Sequence, residues 1–147
     1  MILNISLDRK PLQQFYHFVE DFDKTLKKGL INAMMFAEGQ AKRSFGEPGR
    51  LKSRSGRLRG SITSGVDDPL TGWLASDVIY GPIHEFGGTI KPKVGKYLKF
   101  QIAGQWKTVK QVVIPAKPFL RPAIQKSQDN MVEIITRQIV RDFNDNS

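Results

Sequence analysis

PLQQFYHFVEDFDKTLKKGLINAMMFAEGQAKRSF, residues 11–45, is the stretch from which the fold is read. Its apolar positions Leu12, Phe15, Val19, Phe22, Leu26, Leu30, Met34, Ala37, Ala41 and Phe45 lie three or four residues apart throughout. That is the period of one helix face, held for about nine turns with no internal proline and no glycine pair. Asp8 is the expected cap, and Pro11 is tolerated in a first turn, where its missing N–H has no intrahelical partner. Residues 12–45 as helix would reach ~51 Å, against a radius of gyration of ~15 Å for a globule of this length. Such a rod either projects to meet a neighbour or folds back at Gly29 or Gly39; projection is the expectation.

Outward from the helix, ILNISL (2–7) alternates and reads as a short strand. GEPGRLKSRSGRLRG (46–60) holds four glycines and five bases, which predicts a flexible basic loop closing in a turn at 55–58. SITSGV (61–66) and WLASDVIY (73–80) predict a hairpin around the turn DDPLTG. Gly81-Pro82 opens one helical turn to Phe86, and Gly87-Gly88 ends it where positive φ is needed. KYLKFQI (96–102) and WKTVKQVVI (106–114) predict a second hairpin with its lysines outward. After the proline-stiffened PAKPFLRP a second helix starts near Arg121, with Ile124, Met131, Ile135, Ile139 and Phe143 as its stripe. The expected fold is α+β: a long N-terminal and a C-terminal helix packed on a small antiparallel sheet. It forms one domain over 1–147, with 46–60 a flexible loop and 144–147 a frayed tail.

The 147 residues, 39% apolar and 25% charged, can bury a core and are not those of a disordered chain. No cysteine means no disulfide framework and no thiolate site, and no run is long and apolar enough to span a membrane. The bases of MILNISLDRK follow its apolar run, the reverse of a secretory signal, so a soluble protein made in a reducing cytoplasm is expected. The net charge of +9 comes in blocks. Residues 42–60 carry seven bases and one acid, 61–90 four acids and no base, and 91–126 nine bases and no acid. Alternating signs suit self-docking or a polyanion.

Chemistry is sparse. His17 and Asp21 share a helix face without a third metal ligand. His84-Glu85 sits in a Gly/Pro-bounded turn suited to a general base, but no nucleophile, carboxylate cluster or phosphate loop accompanies it. Asp67-Asp68 reads as a turn initiator. The sequence therefore points away from an enzyme. Nucleic acid is the stronger rival, because Tyr97, Phe100, Trp106 and Phe119 interleave with the second basic block. Alternation alone leaves open whether those rings are exposed for stacking or buried.

Three segments, SGRLRGSI (55–62), YGPIHEFGGTIKPK (80–93) and IPAKPFLRPAI (114–124), occur in order between the two helices. Together they resemble the tail-completion, or head–tail joining, proteins of long-tailed bacteriophages and the related Mu-type virion-morphogenesis proteins. The continuation GGTIKPK leans towards the second branch. The resemblance covers nearly the whole chain and implies a structural virion protein without catalytic residues or cofactors. Its subunits would form a homo-oligomeric ring, usually sixfold, at the head-proximal end of the tail. The partners would be the head connector or stopper and the tail tube or terminator. Location would be the tail neck, after assembly in the host cytoplasm.

The positions carried over as fold-defining or interface residues are Leu58, Ile62, Tyr80, Pro82, His84, Glu85, Phe86, Gly87, Pro115, Pro118, Phe119, Leu120, Arg121 and Pro122. His84 and Glu85 would hydrogen-bond either the PFLRP segment or an adjacent subunit. Arg50, Lys52, Arg54, Arg57 and Arg59 are the loop bases that would dock or face DNA in the lumen. The alternatives are a sequence-blind nucleic-acid module and a terminator or baseplate subunit of similar fold.

Overall fold

The computed structural model describes residues 9–52 and 55–145. The elements are α1 (Arg9–Arg43), α2 (Arg57–Gly60), β1 (Ile62–Asp68), β2 (Thr71–Ser76), α3 (Gly81–Phe86), β3 (Gly88–Ile90), β4 (Leu98–Ile102), β5 (Gln105–Val109), β6 (Val112–Ile114) and α4 (Arg121–Asp145). The fold is α+β, with a long N-terminal helix, a C-terminal helix and small antiparallel sheets. The strand expected at 2–7 and the Asp8 cap lie outside the described residues.

α1 runs 35 residues without a break at Gly29 or Gly39. Gly29 instead admits a neighbour: a Cβ there would lie 3.2 Å from the Cα of Ile135 on α4. In place of the single sheet expected from the alternation, the described residues form three two-stranded ladders, β1–β2, β3–β6 and β4–β5. The expected strand 73–80 stops at Ser76, because Val78 is buried and its carbonyl accepts from Gly81 N at 2.9 Å, turning the chain into α3. The expected strand 106–114 breaks after Val109, and Val112–Ile114 pairs instead with Gly88–Ile90. β4 and β5 close through Ala103 (φ 49°) and Gly104 (φ 81°), the two positive-φ residues of a tight hairpin.

The chain divides into two compact units. The first comprises α1 to Phe36, residues 64–73 and α4 from Gln128. Here the helices meet along a polar seam. Asn32 donates to Gln138 at 3.3 Å, and Asp142 accepts from Thr25 (3.1 Å), Lys28 (3.3 Å) and Gln138 (2.7 Å). Leu30, Ala33 and Met34 are buried, and a Cβ at Gly72 would lie 2.7 Å from Met34. Asp68 accepts from Leu70 N at 2.8 Å and Asp67 from Trp73 Nε1 at 3.1 Å, so both acids of the expected turn tie down the β1–β2 loop.

The second unit comprises 37–63 and 74–127. Its core is Ala41, Leu58, Ile62, Val78, Phe119 and Ala123, with Phe45, Leu51, Leu74 and Leu120 packed around it. Part of the stretch read as a loop is therefore seated: Leu58 on α2 is buried, and Leu51 lies against the core.

Candidate functional site

The site grows from α3. Pro82 presets the first helical turn, and buried Gly81 lets it lie against Ser76 and Val78, within 3.4 and 3.5 Å of where a Cβ would stand. One turn later Glu85 faces inward and is 8% exposed. Its Oε2 accepts from the backbone N–H of Phe119 (2.7 Å) and of Leu120 (3.0 Å), and its Oε1 from that of Arg121 (3.0 Å). These are donors at the start of α4, whose first turn has no intrahelical acceptors to offer them. Leu120 carries no capping oxygen and Pro122 has no N–H, so a carboxylate from another element does what a local Ser or Asp commonly does. Its negative charge also suits the positive end of the helix dipole.

A second clasp lies alongside. Lys117 N donates to the His84 carbonyl at 2.7 Å, and β3 and β6 pair as Gly88↔Ile114, Thr89↔Val113 and Ile90↔Val112. Gly87 (φ 71°) makes the approach possible, since a Cβ there would stand 2.8 Å from Ala116 N and 3.0 Å from the Ile114 carbonyl. The third motif segment thus lies along the second. The first joins them through Leu58 and Ile62, which pack in the same core as Phe119. Arg50 donates to the Pro118 carbonyl at 3.4 Å, and the Phe45 and Phe119 ring centres are 5.4 Å apart.

The carried-over residues divide by burial. Leu58, Ile62, Glu85 and Phe119 are buried. His84, Gly87, Pro118, Leu120 and Pro122 are half-buried, while Tyr80, Pro82, Phe86, Pro115 and Arg121 are exposed. The Arg121 guanidinium lies 5.5 Å above the Phe86 ring, and Tyr80 meets His84 edge-on with ring centres 6.0 Å apart. A cleft of about 380 Å³ opens beside these groups, lined by Ser76, Pro82, Phe86, Phe119, Arg121 and Ile124 among others. The carboxylate bordering it, that of Glu85, is directed at three amides. Of the loop bases, Lys52, Arg57 and Arg59 are exposed, Arg50 is held at Pro118, and Arg54 lies outside the described residues.

The structure picks the first of the two alternatives for Glu85, the PFLRP segment. It thereby removes one of the four acids of block 61–90 from the surface. Sequence reasoning missed β3 and the core roles of Val78 and Ala123; a three-residue strand that itself begins on a glycine has no periodicity to detect. Among the described residues no group of three or more His, Asp or Glu side chains could hold a metal ion, and no helix is long and apolar enough to cross a membrane. His17 is exposed, and Asp21 accepts from Lys24 at 3.2 Å. No family model, curated protein or solved structure matches the chain.

Proposed function

We propose that the chain is a structural subunit of a bacteriophage virion. In this reading it forms a ring, sixfold by resemblance, at the head-proximal end of the tail and joins the tail to the head connector. The observation that carries this reading is the Glu85 joint. The three segments on which the resemblance rests are distant in sequence, yet they meet in one small unit. Their single buried carboxylate is engaged in starting α4. Residues of the same motifs that face outward, Tyr80, Pro82, Phe86 and Arg121, form the surface that docks a neighbour or the connector. Partners would be further copies of the chain, the connector or stopper, and the tail tube or terminator. The site of action would be the virion neck.

The test is electron microscopy of particles assembled without the chain, in the phage or prophage that encodes it. Finished heads and finished tails lying apart are expected; intact infectious particles would refute the reading. Point variants refine it. Phe119 is a poor docking probe because it is 3% exposed and its loss disturbs the core. Arg121→Ala and Phe86→Ala alter only the outward pair and should block joining while leaving tails complete.

A further inference from the structure

We infer that one face of the β4–β5 ribbon binds a nucleic-acid strand, holding phosphates with lysine and stacking unpaired bases on aromatic rings. The inference stands on this ribbon alone and does not require the ring reading. Cross-strand partners share a face, and the register pairs Lys99 with Thr108 and Gln101 with Trp106. The same alternation continues to Tyr97 and Lys110 just beyond the paired residues. All six of these side chains are exposed, Trp106 to 73% and Tyr97 to 50%. The opposite face carries half-buried Leu98, Phe100 and Val109 together with exposed Ile102, Gln105 and Lys107, so the two large rings left in water, Trp106 and Tyr97, share the first face.

An indole left in water beside lysines has an apolar face without a function in folding. Bases supply what such a face takes, since every base has a π surface, and phosphates supply the anions for the lysines. Charge favours the same occupant. Between Glu85 and Asp129 the chain carries nine bases and no acid, so no neighbouring carboxylate in that stretch competes for the ammonium groups. A carboxylate-bearing protein partner is matched best by arginine's two-pronged fork, and the ribbon has no arginine. The loop bases Arg57 and Arg59, by contrast, flank buried Leu58 on a helix of four residues with no aromatic among them.

Titrating the full chain into labelled oligothymidylate and into a duplex of equal length at low salt, followed by fluorescence anisotropy, tests this. The single strand should bind more tightly. Trp106→Ala should weaken that binding by about tenfold, the worth of one lost stack. Lys99→Gln with Lys110→Gln should reduce the slope of log affinity against log salt by about 1.4, at roughly 0.7 per phosphate contact. Arg57→Gln with Arg59→Gln should leave both nearly unchanged. All three sites are exposed, so far-UV circular dichroism should remain that of the parent chain. The inference falls if the parent chain does not bind, if duplex binds as tightly as single strand, or if the Arg57/Arg59 variant carries the loss. It falls equally if polyglutamate displaces the oligonucleotide at matching charge concentration, which would make the surface one for acidic protein.

Discussion

Glu85 and Asp142 each fasten α4 to another part of the chain, one at the helix start in the second unit and one near its end in the first. Glu85 is buried and accepts only backbone N–H groups, so its bonds define where the helix begins. Asp142 is half-buried and, among the described residues, accepts from the side chains of Thr25, Lys28 and Gln138. On the inner side of Glu85, Leu58, Ile62, Phe119 and Ala123 form a buried core, while Tyr80 and Phe86 stay outside. Around Asp142 a polar seam joins the helices, and Phe18, Phe22 and Phe143 remain 42–65% exposed. A backbone-directed carboxylate in a core has few substitutes, whereas a side-chain network at a surface can rearrange and be screened by salt.

The largest effect is expected at Glu85. Glu85→Ala leaves three N–H groups facing a void and should cost about 3–5 kcal/mol, whereas Glu85→Gln keeps an acceptor oxygen and should cost about half as much. Urea unfolding followed by circular dichroism reads both as a lower midpoint at unchanged slope. Gly87→Ala comes next, at about 2–3 kcal/mol. Its Cβ would meet the Ala116 and Ile114 backbone, atoms that cannot swing aside, at a φ of 71°.

Asp142 sharpens the other side through pH. Desolvation raises its carboxyl, but hydrogen bonds from Lys28, Thr25 and Gln138 and the Lys28 charge outweigh it and hold it below the ordinary carboxylate value. A lowered native value means that this contribution to stability is complete above the ordinary carboxylate value. It is lost as pH falls through the lowered one. Asp142→Asn should therefore lower the melting temperature slightly at neutral pH and flatten the acid limb of its pH profile; Arg137→Gln, on an exposed pair, should leave that limb unchanged. The smallest effect is expected at Ser127, fully buried on α4 with a hydroxyl that meets no hydrogen-bond partner among the described residues. Ser127→Ala should be neutral or stabilising by up to about 1 kcal/mol in thermal melts.

Much of the site was legible as a set of positions and little of it as a set of roles. Leu58, Ile62 and Phe119 were identifiable as motif residues, but whether the Phe119 ring was core or surface was left open by the sequence. For Glu85 the sequence left open the PFLRP segment and an adjacent subunit, because nothing within four residues decides between them; its partners are the amides of 119–121. Phe86 and Phe119 belong to similar-looking motifs, yet one is exposed and one is core. The lysine–aromatic alternation of 96–110 named the ribbon but not the ring that faces out. That was set by the β4–β5 register, which puts Trp106 opposite Gln101 on the face away from half-buried Leu98, Phe100 and Val109.

Helices, turns and hairpins came from the sequence by itself, since their periods and φ requirements involve neighbours within a few residues. The uninterrupted α1, the short α3, the glycine stop and the start of α4 near Arg121 all belong there. The tertiary structure alone decided which polar group satisfies which distant backbone donor and which face of a ribbon is left to solvent. Those outcomes depend on chain segments far apart in sequence competing for the same few contacts, and no local pattern encodes the winner.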